Sequence, residues 1–403
     1  MAVISDFRNK VPSWPIHGPD EEAALRRVLN SKAWWRGIGQ EASQFEHEFA
    51  NFLGVEHVRL VSSGSGALEI ALQLCGIRPG DEVLVPACTF IATASAVLRM
   101  GAVPIPVDVV VSTLCMDPAD MERKCTRQTR AVIPVHMAGQ AAHFDHVLDI
   151  AKAHQLRVIE DAAHAHGAEW NGRKLGSFGD VAIFSFQAGK LMTGGEGGAV
   201  VINDPALASR SFQLHSCGRP EGDTEYQHLE IAGNWRLPEF VSAVLRAQLN
   251  RLPRQLTTRE KAAAYFEKAL ASLHGITPLE RAPETSLHGH YMSMFWFDPD
   301  HFGGRDASQI SAALRQMGLP AFKCFPAVQN TGMFSREALA AVMPEPQKLP
   351  DFSSIATPNA DRAAQHVVWF HHSLLLSDIN LLRDIVEVVG GLTEEHGFCG
   401  NGT

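Results

Sequence analysis

The sequence has few of the features that mark secreted, membrane-spanning or zinc-binding proteins. Its seven cysteines are scattered, odd in number and without CxxC spacing, which argues against a disulfide framework and a zinc site, so we expect reduced thiols. The longest uncharged apolar stretch, residues 83–98, is interrupted by Pro86 and is too short to span a bilayer. The N-terminal segment MAVISDFRNK lacks a basic region followed by an apolar core, so we expect no signal peptide and a cytoplasmic location. The cysteines are Cys75, Cys88, Cys115, Cys125, Cys217, Cys324 and Cys399.

The sequence also lacks an excess of positive charge. Its formal net charge is −9, which disfavours binding to nucleic acid or to an anionic membrane. Hydrophobic residues make up 45% and charged residues 20%, as in ordinary globular enzymes, which excludes a disordered, collagen-like or coiled-coil protein. No GxGxxG follows the first predicted strand, which argues against a dinucleotide site. Four histidines lack metal-site spacing, so we predict structural roles and no metal for them: His136, His143, His146 and His166.

The chain of 403 residues alternates short apolar strands with amphipathic helices up to about residue 200. This alternation predicts an α/β fold with a mostly parallel central sheet that is covered on both faces. Residues 20–54 are predicted to be helical, and a second long helical stretch runs from about residue 238 to 273, where Pro253 either kinks or restarts the helix. We predict a large domain over residues 1–250 and a smaller C-terminal α/β domain over residues 251–403.

The segment SFQAGKLMTGGEGG, residues 185–198, is the most informative part of the sequence. It places Lys190 between a short strand and a glycine-dense turn, where a lysine is held rigidly and the backbone can approach a ligand closely. A lysine held in this way is suited to Schiff-base chemistry. The glycine cluster alone is weak evidence, since most such clusters are ordinary turns.

Two further segments are typical of a cofactor site. Asp161 ends an apolar strand, where α/β sheets place their ligands, and a carboxylate there can keep a pyridinium nitrogen protonated. The alternative is that Asp161 only caps a following helix. The segment Ser63-Gly64-Ser65-Gly66 opens a helix whose free N–H groups favour a phosphate, although it could equally be a tight turn.

Together these segments resemble the DegT/DnrJ/EryC1/StrS family of sugar aminotransferases, which are fold-type I enzymes that use pyridoxal 5′-phosphate. Five family patterns occur here in order, as SGSGAL, PACTFIAT, EDAAHAHG, SFQAGKLMTGGEGG and NWR. The resemblance implies that Lys190 holds the cofactor covalently and that Asp161 pairs with its ring nitrogen. It further implies ring contacts from Phe90 and His164, and phosphate contacts from Ser65, Gly66 and Ser185. Asn234 would reach the phosphate of the neighbouring subunit, which implies a homodimer with shared active sites.

Other segments resemble the branch of this family that contains the 3-amino-5-hydroxybenzoate (AHBA) synthases. They include WWRGIGQE, PVHMAG, HSCGRP, HYMSMF and VWFHH, whereas SSGSGAL and AGNWRLPEF depart from that branch close to the predicted cofactor pocket. In the segments that resemble this branch, arginines could form ion pairs with a substrate carboxylate, and imidazoles could form hydrogen bonds with hydroxyl groups of the substrate ring. The candidate substrate residues are Trp35, Arg36, Arg219, His290, Tyr291, His371 and His372.

The predicted function is transfer of an amino group from glutamate or glutamine to a ketone on a cyclic polyol, a keto cyclitol or keto sugar, in antibiotic biosynthesis. The alternative enzymatic function is that of an AHBA synthase, which removes water from aminodehydroshikimate. An alternative of another class is a non-catalytic binding or regulatory protein, which the presence of Lys190 disfavours.

Overall fold

The structure is a computed structural model that describes residues 6–343 and 345–393. Cys399 and the first five residues lie outside the described part of the chain. The helices are α1 (Pro19–Ser31), α2 (Glu41–Leu53), α3 (Gly64–Leu74), α4 (Ala92–Arg99), α5 (Pro118–Lys124), α6 (Phe144–Ala153), α7 (Ala208–His215), α8 (Glu239–Ala271), α9 (Ala307–Gln316), α10 (Arg336–Ala340), α11 (Pro358–His366) and α12 (Ile379–Gly390). The strands are β1 (His57–Val61), β2 (Glu82–Pro86), β3 (Val103–Val107), β4 (Thr129–Val132), β5 (Arg157–Asp161), β6 (Glu169–Trp170), β7 (Arg173–Lys174), β8 (Val181–Ser185), β9 (Gly198–Ile202), β10 (Ile276–Pro278), β11 (Thr285–Leu287), β12 (Met292–Phe297), β13 (Ala321–Lys323) and β14 (Val367–His371).

The central sheet has the strand order β1-β9-β8-β5-β4-β2-β3. The pairs from β8 through β5, β4 and β2 to β3 are parallel, while β9 runs antiparallel to both β8 and β1. Every residue of β8 and β9 is buried, which fits their continuous apolar sequences VAIFS and GAVVI. The predicted α/β fold with a mostly parallel central sheet is therefore confirmed.

A second, antiparallel sheet with the order β10-β12-β14-β13 lies in the C-terminal part of the chain. Its own core includes Phe266, Phe295 and Phe370, and Phe7 from the start of the described chain packs into the same core. Helix α8 continues unbroken through Pro253 and across residue 250, so the proposed domain boundary falls inside a helix. The division into domains at that residue stays a prediction.

The expectation of one continuous helical stretch over residues 20–54 is wrong. Helix α1 ends at Ser31, the following Lys32 adopts a left-handed conformation with φ 59°, and α2 begins only after Gln40. The Glu239 carboxylate accepts hydrogen bonds from the backbone N–H groups of Glu41 at 2.6 Å and Ala42 at 3.3 Å. A residue distant in sequence therefore caps α2, and this separates the two helices.

The apolar segment HVVWFHHSLLL, residues 366–376, forms a strand over only part of its length. Strand β14 ends at His371, and residues 372–376 form a short 3₁₀ helix. This early end of the strand directs His372 toward the central sheet, beside the turn that carries Lys190.

Candidate active site

A cavity of about 400 Å³ lies at the carboxyl ends of β5 and β8. This is the edge at which parallel α/β sheets bind their ligands. A larger cavity of about 650 Å³ lies along residues 334–353, and none of the predicted site residues lines it. The cavity at the sheet edge is lined by Ser63, Gly64, Ser65, Thr89, Phe90, Thr93, Asp161, His164, Ser185, Gln187, Lys190, Glu196, Tyr291, Phe325 and Trp369, among others.

Lys190 lies on the turn between β8 and β9, and its amine points into the cavity. Its backbone N–H donates to the carbonyl of Gln187 at 2.9 Å, and Gly189 N–H donates to the Gln187 side chain at 2.8 Å. The Lys190 Nζ lies 4.5 Å from the centroid of the Tyr291 ring. Burial lowers the pKa of this amine to about 8, although nearby Asp161 opposes the shift. A larger fraction of the amine is therefore uncharged and nucleophilic at neutral pH than for a surface lysine.

Asp161 is the last residue of β5 and is buried. Its Oδ1 accepts from the Ala163 N–H at 3.2 Å, and its Oδ2 accepts from the Thr93 hydroxyl at 2.9 Å. Burial raises the pKa of this carboxyl, while both hydrogen bonds and the Lys190 charge oppose the rise. The chain continues through turns to β6, so the alternative that Asp161 caps a following helix is wrong.

Thr93 is a site residue that the sequence motifs do not indicate. It is the last residue of the segment PACTFIAT, so its position was visible, but its hydrogen bond to Asp161 joins residues 68 positions apart. The pattern of that segment alone carries no signal for this pairing.

The start of α3 also lines the cavity. The Ser63 hydroxyl oxygen accepts from the Gly66 N–H at 3.0 Å, which caps the helix and already engages one of the predicted phosphate-binding N–H groups. A Cβ on Gly64 would lie 2.8 Å from the Cβ of Ser185, so the backbone here approaches β8 as only glycine allows. Ser65 and Ser185 both face the cavity beside this helix end. This arrangement fits an anion such as a phosphate.

Aromatic rings stand on two sides of the cavity. Phe90 is 54% exposed and lies edge-on to Phe325, with 6.3 Å between the ring centroids. On another wall, the buried His164 stacks on Tyr291 at 4.2 Å. Burial lowers the pKa of His164 well below its usual value, and its Nδ1 has no partner among the described residues. An unpartnered ring nitrogen at a cavity wall is suited to a hydrogen bond with a bound ligand.

The two arginines predicted to bind substrate lie outside this cavity. Arg36 makes two hydrogen bonds to Glu46, at 2.6 and 2.8 Å. Arg219 is paired with Asp223 at 2.8 Å and lies 4.5 Å from the centroid of the Tyr226 ring. Both guanidinium groups are therefore already engaged within the chain.

The other candidate substrate residues are divided between the cavity wall and its surroundings. Of these only Tyr291 lines the cavity. His290 bonds Glu260 at 2.8 Å, and His371 bonds the Ser373 hydroxyl at 3.0 Å. His372 bonds the Gly189 carbonyl at 3.1 Å behind the lysine turn. Trp35 is 52% exposed on the segment between α1 and α2.

Asn234 is exposed and is not one of the residues that line the cavity. Its side-chain oxygen accepts from the Arg236 N–H at 3.3 Å, and its backbone bridges to Ser216. The guanidinium of Arg236 bonds the Ser216 hydroxyl at 3.1 Å. Whether Asn234 reaches a second subunit's site stays a prediction.

None of the four histidines expected to be structural lines the cavity. His136, for example, bonds the buried Glu160 at 3.2 Å. Within residues 6–343 and 345–393, no cluster of three or more His, Cys, Asp or Glu side chains is placed to bind a metal ion. Over the same residues, no helix is both long and apolar enough to cross a membrane.

Comparison with known proteins agrees with this geometry. The DegT/DnrJ/EryC1/StrS aminotransferase family profile matches residues 15–389. The chain is 39% identical to the 3-amino-5-hydroxybenzoate synthase of Amycolatopsis mediterranei (strain S699), over 94% of this chain and 96% of that protein. It is 35% identical to the L-glutamine:2-deoxy-scyllo-inosose aminotransferase of Micromonospora echinospora, over 96% and 95% of the two chains. A crystal structure of an AHBA synthase superposes with a TM-score of 0.87 at 37% identity, over 95% of this chain and 98% of the other.

The fold and the site thus define a pyridoxal-phosphate-dependent aminotransferase of fold type I. The chain belongs to the DegT/DnrJ/EryC1/StrS aminotransferase family. The predicted family, its likeness to the AHBA synthases, and the cofactor are confirmed.

The residues of the cavity fit this cofactor. Asp161 offers a buried carboxylate to a ring nitrogen, and the start of α3 with Ser65 offers N–H and hydroxyl groups to a phosphate. The unpartnered Nδ1 of His164 is a feature that a bound ligand would use. Lys190 is the lysine in this cavity, which makes it the candidate for the covalent link.

Proposed function

We propose that this protein transfers an amino group from glutamine or glutamate to the ketone of a neutral cyclic polyol, as one step in antibiotic biosynthesis. The relatives that support a cyclitol acceptor include the L-glutamine:2-deoxy-scyllo-inosose aminotransferase and the L-glutamine:scyllo-inosose aminotransferase of Streptomyces griseus, which is 35% identical over 93% of this chain and 92% of that protein. A cytoplasmic location stays a prediction.

The charges on the cavity wall favour an acceptor substrate whose ring has no carboxylate. Among the described residues that line the cavity, Lys190 is the single lysine or arginine, while Asp161 and Glu196 are carboxylates. Within one chain, a ring carboxylate would find no free cation, because the two candidates, Arg36 and Arg219, are ion-paired elsewhere. A ring that carries hydroxyl groups needs no such partner.

The site residues would divide the work of the reaction as follows. Bound pyridoxal phosphate supplies an aldehyde that can accept the amino group and a ring that withdraws electrons. Lys190 Nζ, with its lowered pKa, removes the proton from the α-carbon of the amino donor. It later delivers a proton to the carbon of the cyclic acceptor that receives the amine. Asp161, oriented by Thr93 and the Ala163 N–H, holds a negative charge at the end of β5.

We also propose a homodimer with shared active sites. The α-carboxylate of the amino donor needs a cation, and the described cavity wall offers none besides Lys190. Arg236 lies on the same exposed segment as Asn234, and no carboxylate pairs with it in the described part of the chain. In a dimer in which each subunit extends this segment into the other subunit's site, Asn234 would supply an amide for the cofactor phosphate. Arg236 would supply a guanidinium for the carboxylate of the amino donor.

A second function, dehydration of aminodehydroshikimate to AHBA, is favoured by the 39% identity to an AHBA synthase. In that reaction Lys190 would remove a ring proton while water leaves. A non-catalytic role would leave the lowered pKa of Lys190 and its place in the cavity without a use.

A substrate panel separates these functions. Purified holoenzyme is given glutamine or glutamate with 2-deoxy-scyllo-inosose, scyllo-inosose or a keto sugar, and separately aminodehydroshikimate alone, with products identified by mass spectrometry. We expect amination of a cyclitol with a kcat/KM at least about tenfold above that for aminodehydroshikimate. A reversed ratio, with AHBA as product, would favour the dehydratase, and no turnover of any compound would favour the non-catalytic role.

A further inference from the structure

A fully buried arginine lies behind the turn that carries Lys190. Arg259, on α8, is 0% exposed, and burial lowers the pKa of its guanidinium to about 9. Its Nη2 bonds the Nδ1 of His372 at 3.1 Å, whereas its Nε and Nη1 have no partner among the described residues. The Trp14 ring lies 5.5 Å from the guanidinium carbon. A buried guanidinium without a carboxylate is costly, so its position beside the active site needs a physical reason.

The arginine determines which nitrogen of His372 carries the proton. A guanidinium has only hydrogen-bond donors, so the Nδ1 of His372 must accept from it. The proton of the neutral imidazole is then on Nε2, which lies 3.1 Å from the carbonyl oxygen of Gly189 and donates to it. Burial, together with the charge of Arg259, lowers the pKa of His372 well below its usual value, which agrees with a neutral ring.

The same turn is held at a second point. The indole Nε1 of Trp14 donates to the carbonyl oxygen of Ala188 at 2.8 Å, and the Trp14 ring packs edge-on against His372 at 4.5 Å. The two carbonyls that precede Lys190 are therefore bound by side chains from the start of the chain and from the C-terminal part. The N–H groups of Gly189 and Lys190 donate to the side chain and the carbonyl of Gln187.

We propose that Arg259 is a positioning residue for Lys190 that acts through His372. By fixing the proton on Nε2 of His372, it keeps a donor aimed at the Gly189 carbonyl and so fixes the turn from which the Lys190 amine enters the cavity. Without Arg259 the imidazole can place its proton on Nδ1 instead, and two lone pairs then face each other at Gly189. The inference rests on the proposed role of Lys190 as the cofactor lysine.

The test is a double-mutant cycle in the holoenzyme with Arg259→Met and His372→Gln. The amide of a glutamine can donate to the Gly189 carbonyl whether or not Arg259 is present. We therefore expect Arg259→Met to lower kcat about tenfold with little change in KM in the wild-type background, the rate equivalent of about one hydrogen bond. In the His372→Gln background the same change should lower kcat less than about twofold.

Two readouts report on the turn itself. The first is the pH at which the visible absorption of the bound cofactor changes, which should shift with Arg259→Met in the wild-type background only. The second is hydrogen–deuterium exchange of the peptide that contains Gly189 and Lys190, which should become faster in that variant alone. Thermal unfolding of each variant serves as the control for folding.

Equal losses of kcat in both backgrounds, or unchanged exchange at the turn, would overturn the proposal. The ammonium group of lysine has only donors, so Arg259→Lys keeps a donor for Nδ1 of His372. If Arg259→Met does not fold, Arg259→Lys should retain kcat within about threefold. A larger loss with unchanged thermal stability also overturns the proposal. Borohydride trapping of the wild-type cofactor on a lysine other than Lys190 would instead refute the proposed function, so the two failures are distinguishable.

Discussion

The Thr93 hydroxyl donates a hydrogen bond to Oδ2 of Asp161 across 2.9 Å, from the start of α4 to the end of β5. The Ala163 N–H occupies the other oxygen of that carboxylate at 3.2 Å. Both bonds stabilise the ionised form and oppose the effect of burial, which raises the pKa of Asp161. Thr93 thereby helps to keep a negative charge where a ring nitrogen of the cofactor would bind.

We expect Thr93→Val to lower kcat/KM about ten- to hundredfold, because a hydrogen bond to a charged group contributes about 1.5–3 kcal/mol. Valine has nearly the same shape but no donor. Thr93→Ser is the matched control and should stay within about threefold of the wild type. Steady-state kinetics give kcat/KM for both variants. Equal values for Thr93→Val and Thr93→Ser would contradict the role of the hydroxyl group.

The lowered pKa of Lys190, about 8, predicts how the cofactor-free protein captures pyridoxal phosphate. The uncharged amine is the nucleophile, so the capture rate should rise about tenfold per pH unit below that value and level off above it. An unperturbed lysine would give a rate that keeps rising to about pH 10. Stopped-flow absorbance across this range measures the profile, and a rate still rising above about pH 9 would show that burial does not lower this pKa.

We expect substitution of Glu46, which lies outside the cavity, to lower the stability of the fold and not to act on the catalytic groups directly. It is buried, and it accepts from Arg36, from Arg59 at 3.2 Å and from the Leu60 N–H at 2.7 Å. Glu46→Gln should lower the free energy of unfolding by about 3–5 kcal/mol, because it leaves buried guanidinium charges poorly paired. Glu345→Gln, in an exposed pair with a lysine, should cost less than about 1 kcal/mol. Urea unfolding compares the two, and equal losses would contradict the burial argument.

Arg219→Ala tests the choice between the two substrate classes. Because Arg219 is paired with Asp223 outside the cavity, the variant should change kcat/KM for a keto cyclitol and for aminodehydroshikimate by the same factor, within about twofold. A ring carboxylate bound by Arg219 would instead give a selective loss of ten- to hundredfold for the carboxylated ring. That selective loss would restore the AHBA synthase function as the better hypothesis.

Subunit mixing tests the shared active site. Coexpressed Lys190→Ala and Asn234→Ala chains, each inactive alone, should form mixed dimers in which one of two sites has both residues. Random pairing restores about a quarter of the wild-type sites in the unseparated mixture, and about half of the sites in the purified mixed dimer. Activity of the doubly tagged, affinity-purified mixed dimer measures the recovery, and a mixed dimer as inactive as its parents would argue against an asparagine shared between subunits.

The sequence motifs predicted the central sheet and placed Lys190 and Asp161 at its edge, because each motif is a local strand-to-turn pattern. Contacts between distant segments were not predictable in the same way. Arg36 resembled a substrate residue, but it bonds Glu46 within a buried cluster. His372 resembled another, but Arg259, 113 residues away, holds it behind the lysine turn. Such pairings depend on tertiary packing, which no local pattern encodes.

The role of Lys190 as the residue that holds the cofactor is tested most directly by borohydride reduction of the holoenzyme, followed by proteolysis and peptide mapping by mass spectrometry. We expect the reduced cofactor on the peptide that contains Lys190, with no label on that peptide in Lys190→Ala. Label on a different lysine, or a holoenzyme that binds the cofactor without any covalent label, would contradict the assignment of this site.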